Sequence, residues 1–372
     1  MKRFIAIRLS CAAALYLTTA ALLLVAGCTP KAGMFPQPLE YYIGNARPLQ
    51  GEKLPAEYLI NYSFECFYTP QGLIGRMELP NKRLIHLADL QTGEVTHSAV
   101  PKGRGPNESL MKPFIDLYGN NLYANDIMGE KVLKISIDTD SLKVEEYFKH
   151  QFRQPAFAVN LQAVSDSLFV FFLGTLTGGR LALTNNTGQV LDTLVYPVLD
   201  DPKLSNDYQV NFNLSMTLSP CGSKLFVQNY RYSNIRRYSI AENKITLDKT
   251  FTLLEPKYTI KNGKEKMAED NVVMNQPYLV AGEKYVYMLA NPETLKENRE
   301  REKKASADGQ RSAPDPQSNT YLLVFDYDFN LVQSYLTDAH LSYLTITPDP
   351  ATVYASDHEN HCMRKYTLPQ IR

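Results

Sequence analysis

Residues 119–140 read GNNLYANDIMGEKVLKISIDTD, and the fold follows from how this stretch divides. Gly119-Asn120-Asn121 is a turn signal, Leu122-Tyr123-Ala124 an apolar strand, Val132-Leu133-Lys134-Ile135 a second strand, and Asp138-Thr139-Asp140 the next turn. Gly, Asn and Asp accept the backbone angles of tight turns, while β-branched and aromatic side chains favour a pleated, half-buried surface. The couplet recurs along the chain. Leu73-Ile74 is followed by Leu84-Ile85-His86-Leu87, Leu168-Phe169-Val170 by Leu181-Ala182-Leu183, and Leu225-Phe226-Val227 by Ile235-Arg236-Arg237-Tyr238. Val286-Tyr287-Met288 is followed, after a long insertion, by Leu322-Leu323-Val324-Phe325, and Val353-Tyr354-Ala355 by Met363-Arg364-Lys365-Tyr366.

Each couplet has a turn signal before it, such as Thr69-Pro70-Gln71-Gly72 or Thr347-Pro348-Asp349-Pro350, and an earlier apolar strand such as Phe157-Ala158-Val159. Four strands in each of six units predict an all-β, six-bladed β-propeller with four-stranded antiparallel blades. The last unit ends without a fourth strand. A strand from within residues 41–54 is therefore expected to complete it and close the ring. The propeller spans 41–372. Residues 292–319 interrupt blade five with the charged run Lys296-Glu297-Asn298-Arg299-Glu300-Arg301-Glu302-Lys303-Lys304 and are expected to form a mobile insertion with a helical start.

Composition narrows the function classes. The 372 residues are 44% hydrophobic, enough for a sizeable core, and 24 Tyr and 16 Phe against no Trp suit a strand-rich chain. With 39 basic and 39 acidic residues there is no basic surplus to neutralise phosphates, which argues against a nucleic-acid binder.

Lys2, Arg3 and Arg8 precede an apolar run from Cys11 to Ala26, the layout of a secretory signal peptide over residues 1–27. Its end, Leu24-Val25-Ala26-Gly27-Cys28, resembles the bacterial lipobox, which implies lipidation of Cys28 and an acyl (palmitate-type) anchor. Residues 28–40 then form a lipidated tether. Thr29 stands where an aspartate would mark inner-membrane retention, so the expected destination is the outer membrane, facing the periplasm. Cys66, Cys221 and Cys362 remain, an odd number with no Cys-x-x-Cys spacing, and are read as buried inert thiols in strands.

Two motifs carry a family resemblance. Leu218-Ser219-Pro220-Cys221-Gly222 is similar to the Ser-Pro-Asp-Gly turn of TolB-type propeller repeats, with Cys221 in place of aspartate. Gly103-Arg104-Gly105-Pro106-Asn107-Glu108 resembles a Gly-x-Gly-Pro-Gly-Glu loop of TolB-like six-bladed propeller lipoproteins of Bacteroidota, with Asn107 in place of the third glycine. The resemblance implies fold and envelope location rather than an activity. Asp140-Ser141-Leu142, Asp166-Ser167-Leu168 and Asp192-Thr193-Leu194 are similar to the O-glycosylation sequon of exported proteins in such bacteria, which would modify Ser141, Ser167 and Thr193. The same residues also suit the start of a hairpin strand.

In a propeller, the loops between second and third strands share one mouth with the loops between blades. The residues placed there are Lys102, Arg104, Glu108, Asp126, Asn229, Arg231, Tyr232, Asp357 and His358. Two readings follow. One is a non-catalytic binding or scaffold protein for a protein, peptide or glycan, with no cofactor. The other is a divalent-metal-dependent hydrolase or lyase, similar to lactonase-type propellers, in which Asp126, Asn229, Asn291 and Asp357 offer oxygens to Ca²⁺ in the central channel. An Asp or Asn at a strand end also satisfies local backbone donors. No nucleophile elbow, P-loop or His-Glu-x-x-His motif occurs, so no catalytic residue is assigned.

Overall fold

The computed structural model describes residues 36–54, 65–77, 79, 81–152, 156–175, 178–197, 201, 203–204, 214–229, 232–307, 320–357, 360 and 362–369. Six antiparallel sheets follow one another in chain order, each built from strands that neighbour their sequence partners. Blade one spans Glu65–Pro101, blade two Phe114–Lys149, blade three Ala156–Tyr196 and blade four Leu214–Thr252. Blade five runs from Val272 to Thr337, and blade six from Leu341 to Thr367. Blade two holds the quoted stretch: Asn121–Asp126 pairs with Lys131–Asp138 in the register Leu122↔Ile135 and Asp126↔Lys131.

The second and third strands of each blade are covered on both faces, so they read as near-continuous apolar runs rather than as an alternation. In blade three, successive side chains point to opposite sides of the sheet. Phe169 and Phe171 enter the cluster shared with blade two, while Val170 and Phe172 enter the cluster shared with blade four. Among the described residues such a cluster lies at each boundary between neighbouring blades, the ring being completed where Tyr354 and Met363 of blade six meet Leu73 and Ala88 of blade one. Truncating a fully buried aromatic such as Phe226 to Ala would cost about 3–5 kcal/mol, because transfer and cavity terms add.

The ring closes as the sequence predicts. Gly51–Lys53 lies antiparallel to Cys362–Thr367 as the outermost strand of blade six, with Gly51 opposite Tyr366. Asp338 ties this closure together: its carboxylate accepts the Gly51 N–H at 3.2 Å, the Arg364 guanidinium at 3.0 Å and the Tyr366 hydroxyl at 3.1 Å. A Cβ at Gly51 would lie 2.6 Å from the Tyr366 ring, so the close approach requires glycine. Just before it, Arg47–Leu49 adds a fifth, parallel strand to blade five. Helix α1, Leu39–Ile43, seats Tyr42 among residues of blades four and five, where its hydroxyl donates to the Leu253 carbonyl at 3.0 Å.

Two additions decorate the ring. A hairpin, Tyr258–Lys261 with Lys264–Met267, lies between blades four and five and turns through Asn262 and Gly263, both at positive φ. Asn-Gly with this backbone is the type I′ turn whose twist matches the flanking strands. The charged run of blade five forms helix α2 over Leu295–Ala307. Thr294 and Glu297 make a capping box, Glu297 N–H donating to Thr294 Oγ1 at 3.2 Å and Thr294 N–H to the Glu297 carboxylate at 2.7 Å. Arg301 and Asn298 both bond Glu293, anchoring α2 to the strand that precedes it. Residues 308–319 lie outside the described residues.

Candidate functional site

The innermost strands of the six blades surround a central channel. Within it are two chambers, about 230 Å³ at the mouth end and about 460 Å³ at the base end, where first strands turn into second strands. Six residues line both chambers and form the ring between them: Phe67, Asp116, Gln162, Thr217, Val280 and Thr345, one from each blade. Alternation places them inward, as in Phe114-Ile115-Asp116-Leu117-Tyr118, where Ile115 enters the blade-one cluster instead.

This ring contains a threefold pattern. Asp116 of blade two accepts the Ala163 N–H of blade three at 2.6 Å, Thr217 of blade four accepts the Ala281 N–H of blade five at 3.0 Å, and Thr345 of blade six accepts the Tyr68 N–H of blade one at 3.1 Å. Each donor is the residue after a ring member of the odd-numbered blade. Side-chain oxygens of even blades thus satisfy inner-strand amides that face the channel rather than another strand.

Asp116 differs from the two threonines in being titratable. It is 8% exposed, and burial pushes its carboxyl up to about 7, with the Glu65 charge adding to the rise and the Ala163 and Leu117 amides opposing it. The mouth-end chamber is differently balanced. Arg76 pairs with Glu65 at 2.7 Å, donates to the Pro113 carbonyl at 2.9 Å and lies over the Phe114 ring at 4.9 Å. Tyr278 donates to Glu65 at 3.2 Å and packs edge-on to Tyr343. Asp116, Glu65, Arg76 and Tyr278 were not singled out from the sequence. The available signal was a charged residue at the centre of the apolar strand Phe114–Tyr118.

The mouth loop Gly103–Glu108 is held by its own side chains. Glu108 folds back to accept the Gly105 N–H at 2.8 Å, and its carboxylate fills the space a Cβ on Gly103 would need. Lys131 donates to the carbonyls of Gly105 at 2.6 Å and Pro106 at 2.9 Å, and Asn107 accepts the Glu146 N–H at 3.0 Å. The loop is thereby fastened to blade two, with Lys102 and Arg104 left exposed on it.

Asp126, Asn229, Asn291 and Asp357 are buried near the mouth-end limits of the second strands of blades two, four, five and six. None lines either channel chamber. Asp357 is engaged by Arg364 at 2.6 Å and by the Asn360 N–H and side chain at 3.1 and 2.8 Å, and these partners hold its carboxyl below the usual range against the opposing effect of burial. Asp126 leaves Oδ1 buried with no hydrogen-bond partner among the described residues. Tyr232 is buried beneath the added hairpin and donates to Glu265 at 2.7 Å. Arg231, His358 and Cys28 lie outside the described residues. Among the described residues, no three His, Cys, Asp or Glu side chains come together as a group able to hold a metal ion.

Ser167 and Thr193 are exposed and Ser141 is half-buried. Their neighbouring aspartates also stitch blades together: Asp166 accepts the Tyr123 hydroxyl at 2.6 Å and Asp192 the Ile245 N–H at 2.8 Å. Cys66 and Cys362 are buried strand residues, as expected of inert thiols, whereas Cys221 is exposed on its turn. Hydrogen bonds with Ser219 and Ser223 hold its thiol below the usual range.

Six four-stranded blades around a two-chambered channel define a six-bladed propeller. The chain belongs to the TolB-like 6-blade propeller-like family, whose model matches residues 45–349. Among solved structures it is similar to a member of the DUF4221 family from Bacteroides vulgatus, with a TM-score of 0.52 and 13% identity over 88% of this chain and 97% of that one. Regucalcin from Agrobacterium tumefaciens, a calcium-binding protein, aligns with a TM-score of 0.49 and 10% identity over 88% and 99% of the two chains. A protein of Bacteroides fragilis assigned as exported aligns with a TM-score of 0.47 and 13% identity over 88% and 99% of the two chains. No curated protein matches the sequence. Among the described residues, no helix is long and apolar enough to cross a membrane.

Proposed function

We propose that this chain is an outer-membrane lipoprotein, anchored through Cys28, whose propeller binds a protein, peptide or glycan partner across its mouth without catalysing a reaction. The observation that carries this reading is the position of three exposed apolar side chains. Met111 (44% exposed) lies in the loop before blade two, Met128 (62%) in the turn between its second and third strands, and Phe157 (58%) at the start of blade three. All three occur at the mouth end of neighbouring blades. Single exposed apolar residues need no explanation, but three at one end of neighbouring blades, the end that also carries the exposed Arg104, fit a recognition surface. Methionine suits such a surface because its unbranched thioether adapts to a partner's shape. The test is capture of envelope components by the anchored protein and by a Met111→Glu/Met128→Glu variant. Loss of the captured component with an unchanged melting temperature supports the reading; capture unchanged by the substitutions refutes it.

The alternative, a divalent-metal-dependent hydrolase or lyase, is favoured by the Asp126 Oδ1, which has no hydrogen-bond partner among the described residues and which Ca²⁺ would satisfy. One Ca²⁺ per chain, lost with Asp126→Asn and accompanied by a lower melting temperature on chelation, would establish the metal site that this reading requires, and hydrolysis of a lactone or ester lost with the same substitution would put it in place of the first.

A further inference from the structure

We propose that the base-end chamber of the channel is a binding site for a small organic cation, an amine, with Asp116 as its counter-ion. This site is at the opposite end of the channel from the mouth surface, and the inference does not rest on the partner-binding reading.

Three observations converge. The first is the threefold ring. Thr217 and Thr345 accept their neighbouring amides with hydroxyls, so fastening the inner strands does not require a charge. At the third position the chain carries a carboxylate, and the structural bond to Ala163 leaves its charge unexplained.

The second is the charge balance of the chamber. Its lining includes two acidic residues, Asp116 and Glu283, and no Lys, Arg or His among the described residues. The nearest cation on the mouth side, Arg76, is already paired with Glu65 at 2.7 Å. The ring members facing Asp116 from blades three, four and six, Gln162, Thr217 and Thr345, carry no charge, and the charge of Glu65 from blade one is compensated by Arg76. A cation is the ligand that this field favours. It would also favour the ionised form of Asp116, which burial alone disfavours.

The third is shape and surface. The chamber's volume of about 460 Å³ falls within the range of small-molecule sites. Phe67, Tyr68 and Tyr118 line it, and aromatic faces beside carboxylates attract alkylammonium groups electrostatically. Peripheral polar groups at Gln71, Asn120 and Ser219 leave the base-end rim open to a second donor on the ligand.

The experiment is calorimetric titration of the mature chain with three amine probes, butylamine, 1,5-diaminopentane and argininamide, and with 1,5-pentanediol as the neutral counterpart of the diamine. At least one amine should bind and the diol should not. Asp116→Thr keeps the oxygen acceptor found at the other two positions, so it should melt no lower than the parent while weakening amine binding by about tenfold or more. Should Asp116→Thr fail to fold, Asp116→Asn serves the same purpose. Affinity should also rise between about pH 6 and pH 8 as Asp116 ionises. Binding of the diol as tightly as the diamine, amine binding unaffected by the loss of the carboxylate, or no binding of any amine at about 10 mM would each overturn the proposal. None of these results bears on capture at the mouth, which involves Met111 and Met128.

Discussion

The Asp116 carboxylate lies 2.6 Å from the amide nitrogen of Ala163, across the boundary between blades two and three. The bond fastens two inner strands and places an ionisable group in the middle of the channel. Its two counterparts, at Thr217 and Thr345, do the first without the second. Replacing Asp116 by Leu would leave the buried Ala163 N–H without its partner and cost about 1–3 kcal/mol, whereas Asp116→Thr should cost much less. Denaturant unfolding of the two variants side by side checks this, and equal losses would show that the bond contributes little.

The same residue gives stability a pH dependence of uncommon sign for an aspartate. Its carboxyl is raised from 3.8 to about 7 in the folded chain, so the folded state binds the proton more tightly than the unfolded one. The stabilisation is therefore fully present below the unfolded value and is lost as pH rises through about 7. Asp116→Asn should consequently gain in melting temperature relative to the parent between about pH 5 and pH 8. Paired melts at each pH cancel the contribution of other groups, such as His150, whose burial lowers it to about 4. A constant difference across that interval would contradict the assignment.

Ring closure brings Gly51 against the Tyr366 ring. Gly51→Val would drive its side chain into the Tyr366 ring and disturb the Asp338 bonds, at a cost of about 1–3 kcal/mol or more. Thermal unfolding should show the loss. If Gly51→Val melts like the parent, the N-terminal strand is not the clasp described.

Cys66, Cys221 and Cys362 should differ sharply in reactivity. Cys221 is exposed with a lowered thiol pKa, while Cys66 and Cys362 are buried with theirs raised. Titration of the folded chain with a thiol reagent should consume Cys221 rapidly and the other two only on unfolding. Rapid reaction of all three would place Cys66 and Cys362 outside the core.

The architecture was legible because it is repetitive: one couplet such as Leu122–Ala124 with Val132–Ile135 is weak evidence, but its recurrence at every blade reflects the need to bury both faces of the inner strands. The closing strand was legible for a related reason, since blade six visibly lacked an edge. The added hairpin went unpredicted although Asn262-Gly263 is a strong turn signal, because it falls between blades and does not repeat. The channel was harder still. Asp116 acquires meaning only when the blades are arranged in a ring and it meets Gln162, Thr217 and Thr345, residues far apart in the chain. Sequence position located the ends of the second strands correctly at Asp126 and Asp357 but could not reveal that they stand outside the channel lining.

Anchoring is tested apart from binding. Cys28→Ser should move the protein from the membrane fraction to the soluble fraction and abolish labelling with palmitate, since stable attachment requires the acyl chains. A variant that stays with the membrane would require another means of attachment.

Recognition at the mouth is tested by placing a photo-activated crosslinking residue at Met128, on the mouth, and separately at Leu247, an exposed apolar position on the outer strand of blade four. Irradiation of intact cells should trap a discrete envelope partner from position 128 and not from 247, and the adduct should vanish when Met111 is changed to Glu. Equal or absent crosslinking at the two positions would contradict the account of the mouth as a recognition surface.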